Sequence, residues 1–129
     1  MSQRMNQCIL VTQADAAILG MLKLNEPLQR ELERAIVVSS DAMPPDVATM
    51  NSLVRYTDVT VGVTTTVALV YPSAARIGQG MVSVLSPVGS ALLGLCVGQT
   101  IEWVFPDGAR RRLRLEEVLH QPERSRKRA

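Results

Sequence analysis

The sequence predicts an α+β protein: two short N-terminal helices, then an antiparallel β-sheet carrying one short helix. Three observations lead there. Apolar residues recur at helical spacing in two early stretches, Ala14, Ile18, Met21 and Leu22, then Leu28, Leu32, Ala35 and Ile36. Later stretches alternate with a period of two, over Val63–Tyr71, Ile101–Phe105 and Ala109–Leu119. Between these strands, MVSVLSPVGSALLGLCVG (81–98) combines a short apolar run, a Ser-Pro helix start and two glycines placed to end a helix and turn the chain.

The first helix follows the apolar lead-in Ile9-Leu10-Val11, with Thr12 as N-cap and Asp15 near the positive helix end. Leu24-Asn25-Glu26-Pro27 breaks it, and Asn25 can cap a second helix with Pro27 in its first turn. Arg30, Glu31, Glu33 and Arg34 form that helix's solvated face. A connection this short predicts an antiparallel hairpin, with helices of about 11–13 residues that each span ~18 Å. Ser39 to Pro45 reads as a linker, and a first strand is expected near Leu53–Thr57. In the 81–98 stretch, Ser86 caps and Pro87 occupies the first helical position. Gly94 stops the helix and Gly98 turns the chain. Pro106-Asp107-Gly108 is a hairpin turn. On the last strand Arg110, Arg112 and Arg114 share one face, opposite Arg111, Leu113 and Leu115. The resulting division is a helical hairpin over residues 1–40, a sheet domain over 41–122 and a basic, disordered tail over 123–129.

The chain has 129 residues, 47% of them hydrophobic, so one domain with a real core is expected. No apolar run approaches the ~20 residues that cross a bilayer, and the N-terminus MSQRMNQC lacks the apolar region of a secretory signal. A cytoplasmic location with no membrane partner follows as an expectation. Cys8 and Cys96 read as buried free thiols in a reducing compartment. Charge is uneven: residues 1–108 carry −3 and residues 109–129 carry +5.

The sequence carries no recognised catalytic pattern. The single His120 has no second histidine beside it, which argues against zinc. Ser86 and Ser90 lie far in sequence from it, which argues against a nucleophilic triad. Adjacent strand residues Glu116 and Glu117 are expected on opposite faces, unable to act as a pair. The glycines form no phosphate loop. No cofactor, metal or small-molecule substrate is expected, and the protein is read as a non-enzyme.

Ser83, Ser86, Pro87, Val88, Gly89, Ala91, Leu92, Gly94 and Gly98 match in register the signature of the C-terminal domain of the bacterial Gre transcript-cleavage factors, which this chain resembles. A second block, Met43-Pro44, Asp46-Val47 and Thr49-Met50-Asn51-Ser52 with Val54, is similar to that of the regulator of nucleoside diphosphate kinase family, a Gre-like group. Ala48 stands where that family usually has valine, and Ala68-Leu69-Val70-Tyr71-Pro72 extends the match to roughly residues 9–122. The resemblance implies an FKBP-like sheet domain, a shortened N-terminal coiled coil and binding to RNA polymerase at the rim of its secondary channel, in competition with Gre factors. It implies polymerase contact through Ser86, Pro87, Val88 and Gly89, with the hairpin tip (Lys23, Asn25, Glu26) facing the channel mouth.

Gre factors hold a catalytic Mg²⁺ with acidic residues at the tip of a long coiled coil. Mg²⁺ demands several hard oxygen ligands. Here the tip offers one carboxylate, Glu26, beside Lys23 on a short hairpin, so no stimulation of transcript cleavage is expected. The connection is also shorter than is usual in the regulator family. The implied fold hosts prolyl isomerases too, but these need an aromatic-lined pocket and aromatics are 3% of this chain. Asn51-Ser52 is read as a strand start held by side-chain hydrogen bonds.

A rival reading is a nucleic-acid-binding module. Arg110, Arg112 and Arg114, with Arg124, Arg126, Lys127 and Arg128 in the tail, could follow a phosphate backbone or make weak nucleic-acid contacts. Stacking aromatics beside those arginines are missing.

Overall fold

The computed structural model describes residues 9–24, 26–75 and 79–127. The chain runs β1 (Leu10–Thr12), α1 (Gln13–Leu19), α2 (Glu26–Glu33), β2 (Ile36–Val38), β3 (Leu53–Asp58), β4 (Val63–Val70), β5 (Met81–Ser83), α3 (Pro87–Leu92), β6 (Thr100–Val104), β7 (Arg110–His120) and α4 (Pro122–Lys127). Single 3-10 turns occupy Ser40–Ala42 and Pro72–Ala74.

Five strands form one sheet in the order β5-β4-β3-β7-β6. The three pairings among β4, β3, β7 and β6 are antiparallel, as the alternation predicts. The edge pair differs: β5 runs parallel to β4, with Ala68 opposite Met81 and Val70 opposite Ser83. After β4 the chain turns at Pro72–Ala74, crosses over and returns in the same direction, so the sheet is mixed rather than wholly antiparallel.

The N-terminal region departs further from expectation. The helices are seven and eight residues long, not 11–13, and they are enclosed by the parallel strand pair β1–β2. Ile36 belongs to a strand rather than to a helical stripe. Ile36-Val37-Val38 is a β-branched run, stiff at χ1 and suited to extended backbone. The unit is not set apart at residue 40 either. Leu19 of α1 and Leu28 of α2 share a buried cluster with Ile9, Val11, Met50, Leu69, Val84 and Leu93.

A second cluster fills the space between α3 and the sheet: Val54, Ala91, Leu92, Leu95, Ile101, Trp103, Leu113 and Leu115 among others. Helix α3 and the residue that caps it therefore serve both cores, through Ala91 and Leu92 on one side and Leu93 on the other. Gly94 then adopts φ +79°, and a Cβ there would lie 2.4 Å from that of Ile9, so glycine is required both for the turn and for the close approach.

Residues 122–127 are helical, where a disordered tail over 123–129 was expected. Gln121-Pro122-Glu123 starts α4, with proline at the helix start and an acidic residue in the first turn.

Candidate docking site

The turn from β5 into α3 is a tightly bonded corner. The Ser86 hydroxyl donates to the Ser83 carbonyl (2.7 Å) and accepts from the Gly89 N–H (3.1 Å), which is the cap expected from the sequence. The Ser86 N–H also bonds the Ser83 carbonyl (2.9 Å), and the Ser83 hydroxyl accepts from the Leu85 N–H (3.0 Å). Buried Ser90 donates its hydroxyl to the Val84 carbonyl (2.7 Å). Pro87 sits in the first helical turn, where no N–H is missed.

The four residues implied as contacts divide in two. Ser86, Pro87 and Val88 are half-buried, and Val88 also packs against the sheet core. Gly89 is buried. A Cβ there would stand 2.0 Å from the Ser83 carbonyl oxygen, so Gly89 lets α3 lie against β5. Its role in the corner is close packing, not surface contact.

At the tip of the N-terminal unit, Lys23 and Glu26 are exposed. Glu26 is engaged by Arg30 one helical turn on, and Asn25 lies outside the described residues.

Arg110, Arg112 and Arg114 share one exposed face of β7, as the alternation predicts, but two of them are occupied. Arg114 bonds Glu116 (3.0 Å) and Arg110 reaches Glu102 (3.5 Å), while neighbouring Arg55 pairs with Glu117. Four arginines thus share the face with three carboxylates. Arg114 holds the Glu116 carboxyl below its ordinary range, with Thr57 adding a second hydrogen bond. Arg112 has no ion-pair partner among the described residues. Arg111, on the opposite face, bonds Asp58 (3.2 Å) and stacks over Phe105. Arg124 turns inward and donates to the Val118 carbonyl (3.0 Å). Arg126 and Lys127 lie in α4, and Arg128 is outside the described residues.

One expectation on this face is overturned. Glu116 and Glu117 are not on opposite sides. The register between β3 and β7 shifts between Arg55 and Tyr56, leaving Glu116 as a bulge. Glu116 meets Thr57 and Glu117 meets Arg55, two residues of the same sheet face.

Sequence reasoning missed a buried polar clasp. Gln121 donates from Nε2 to the carbonyls of Pro44 (2.8 Å) and Val47 (2.9 Å). The Thr49 hydroxyl donates to Glu123 Oε1 (2.7 Å), so it accepts from Ser52 (2.8 Å), whose own oxygen accepts from the Thr49 N–H (3.0 Å). Between them Asn51 adopts φ +67°, which asparagine tolerates better than most residues. The 43–52 block is thus held by the chain's C-terminal end. Its signal was the Pro-Glu helix start at 122–123. A second missed contact joins α1 to the end of β4: the Tyr71 hydroxyl donates to Asp15 (2.8 Å). Burial first, then that bond, raises the Tyr71 pKa.

Cys96 is half-buried rather than buried, and Cys8 lies outside the described residues. Among the described residues no cluster of three histidines, cysteines or carboxylates could hold a metal, and no helix is long and apolar enough to cross a membrane.

Residues 43–120, the segment from the clasped block through β7, match the family model described as "Transcription elongation factor, GreA/GreB, C-term". The chain belongs to this GreA/GreB family. Relatives within and around the family agree. The chain is 41% identical over 102 residues to the "Regulator of nucleoside diphosphate kinase" of Escherichia coli K12, covering 79% of this chain and 75% of that protein. It is 32% identical over 81 residues to the "Transcription elongation factor GreA" of Clostridium botulinum Eklund 17B, covering 63% of this chain and 51% of that protein. A solved structure, the "Prokaryotic transcription elongation factor GreA/GreB from Nitrosomonas europaea", superposes with a TM-score of 0.69 at 38% identity, over 88% of this chain and 99% of that one. These GreA/GreB relatives carry the names of regulators and factors, not of enzymes.

Proposed function

We propose that this GreA/GreB-family chain is a transcription regulator that binds RNA polymerase near the rim of the secondary channel, competes there with Gre factors and does not stimulate transcript cleavage. The observation that carries the reading is the Ser86-Pro87-Val88 corner. It combines the family's helix-start signature with a half-exposed surface fixed by the Ser83, Ser86 and Ser90 hydrogen bonds. A surface so held loses little conformational entropy on binding.

The N-terminal unit supports the second half of the reading. At 1.5 Å per residue, helices of seven and eight residues span only ~11–12 Å, and both feed the common core. Glu26 is already paired with Arg30, a poor arrangement for holding a hard divalent cation that prefers several free oxygens. On the exposed sheet face Arg110 and Arg114 are already paired with carboxylates, which lends the nucleic-acid alternative little support.

The test is retention by core RNA polymerase with and without a competing Gre factor. Displaceable binding is expected, and Pro87→Lys should weaken it while leaving the fold intact. Absence of binding by the folded protein would overturn the reading. In a stalled elongation complex, RNA shortening on addition of this protein would overturn the non-cleaving half.

A further inference from the structure

Helix α4 is attached to the fold by polar groups alone. Its sequence, Pro122-Glu123-Arg124-Ser125-Arg126-Lys127, offers no large apolar side chain to bury. Neither buried cluster includes a residue after Val118. The helix lies against the Ser40–Ala42 turn, which offers it no large apolar seat either. What holds it is the pair Gln121 and Glu123, 0% and 3% exposed. The bond from Arg124 to the Val118 carbonyl (3.0 Å) runs back to the strand that α4 follows and anchors it to nothing else.

The two anchors are imperfectly matched. Among the described residues, the Glu123 carboxylate bonds the neutral Thr49 hydroxyl (2.7 Å) and no cation. Gln121 spends both Nε2 hydrogens on the carbonyls of Pro44 and Val47, which fixes the orientation of its amide. Its Oε1 is then buried with no hydrogen-bond partner among the described residues. A buried acceptor without a donor, and a buried charge without a counter-charge, each subtract from the stability of the contact that buries them. A segment with no share in the apolar cores, held by such contacts, opens at a lower free energy than the whole fold.

What α4 holds leads to the far end of α3. The Ala48 N–H bonds the Leu95 carbonyl (2.9 Å), the Gly94 N–H bonds the Ala48 carbonyl (2.8 Å) and the Val97 N–H bonds the Asp46 carbonyl (2.9 Å). The 43–52 block therefore lies between two elements, with Gln121 and Glu123 on one side and residues 94–97, just past α3, on the other. We propose that α4 is a strap that opens ahead of the rest of the fold, and that its closure on Pro44, Val47 and Thr49 holds α3, and with it the Ser86-Pro87-Val88 corner, in the docking geometry. The second half rests on the polymerase reading of that corner. The coupling has one contiguous path, from Gln121 to Val47, from Ala48 to Leu95 and Gly94, and along the six residues of α3. Coupling of this kind is reciprocal, so polymerase bound at the corner closes the strap as strongly as the closed strap favours binding.

Amide hydrogen exchange of the full chain, alone and with core RNA polymerase, reads both halves. In the free protein the amides of residues 124–127 should exchange at least about tenfold faster than those of β3 and β7, through openings that urea affects little. Gln121→Ala should speed them further, speed the Ala48 and Gly94 amides by about tenfold or more relative to β3 and β7, and weaken polymerase binding severalfold. Ile101→Val, which acts on the sheet core, should lower the urea midpoint without the selective exchange or the loss of binding. Polymerase should slow exchange at 124–127. Exchange of α4 only through global unfolding overturns the strap. A Gln121→Ala protein with α4 freed but Ala48, Gly94 and polymerase binding unchanged overturns the coupling and leaves the corner reading standing. A wild type that fails to bind polymerase overturns the corner reading and the coupling together, while exchange of the free protein still decides the strap.

Discussion

Gly89→Ala is the sharpest probe of the β5–α3 corner, because local and tertiary physics give it opposite signs. Position 89 lies inside a helix, where alanine is intrinsically better than glycine by about 1 kcal/mol. If propensity ruled, the variant would be stabilised. The tertiary structure says otherwise. The added Cβ would stand 2.0 Å from the Ser83 carbonyl oxygen, 2.8 Å from its carbon and 3.0 Å from Val84 Cα. All three are backbone atoms of or beside β5, so no rotamer change relieves the contact. Normal separation needs α3 to lift by more than ~1 Å, away from two close-packed cores. Overpacking of this kind costs typically 1–3 kcal/mol, and the rigid obstacle places this case near the upper end. Subtracting the helix gain leaves a net loss of about 2 kcal/mol. For a chain of this size that corresponds to roughly 6–10 °C in Tm. Urea unfolding followed by circular dichroism should show a lower midpoint with an unchanged slope. Polymerase binding should weaken as well, because the Gly89 N–H that fixes the Ser86 hydroxyl moves with the helix. A Gly89→Ala variant as stable as wild type, or more stable, would refute the claim that this helix is seated against the β5 backbone.

The remaining predictions concern contacts that bind distant parts of the chain together. Gln121→Ala strips the donor from the buried Val47 carbonyl and the part-buried Pro44 carbonyl and should cost about 2–3 kcal/mol; a loss below 1 kcal/mol in urea unfolding would remove the clasp as a structural element. Thr49→Val leaves the buried Glu123 carboxylate without its hydroxyl donor and should cost about 2–3 kcal/mol. In a double-mutant cycle with Glu123→Leu, much of that loss should be recovered, and strict additivity would contradict the pairing. Tyr71→Phe should lower stability at neutral pH by about 1 kcal/mol through loss of the Asp15 bond. Its pH dependence has a definite sign. The folded pKa is raised, so the contribution of the neutral hydroxyl is complete below the unfolded value near 10 and declines as pH rises beyond it, where unfolded chains ionise first. The variant should therefore lose less stability than wild type between roughly pH 10 and 11.5. Tyr56, whose pKa burial also raises, keeps its own share of the alkaline loss in both proteins. An identical decline in the two proteins would contradict the Tyr71 assignment.

Local signals were legible wherever a residue's own backbone preference decided the outcome. Thr12 accepts from the Asp15 N–H (3.1 Å), as a cap reading of the sequence expects, and Ser86, Pro87, Gly94 and Gly98 all take the conformations their residue types favour. The alternation on β7 separated Leu113 and Leu115 from Arg110, Arg112 and Arg114, because a strand's period of two follows from the backbone alone. The same rule failed at the next residue. A bulge depends on how β7 registers against β3, a partner 59 residues away from Glu116 at Thr57, and so it turned Glu116 and Glu117 to one face against the local expectation.

By itself, then, the sequence determined the α+β class, the bounds of most sheet strands to within a residue or two, the capped helix at the centre and the family to which the chain belongs. Each of these rests on near-neighbour patterns or on a matched order of residues. Only the tertiary structure decided that β5 joins the sheet in parallel, that the N-terminal helices are short and share a core with Met50, Leu69 and Leu93, and that Gln121 and Glu123 reach back across the fold to hold Pro44, Val47 and Thr49. The physical reason is common to all three. They are choices between partners far apart in the chain, settled by which buried surfaces and buried polar groups can be satisfied together.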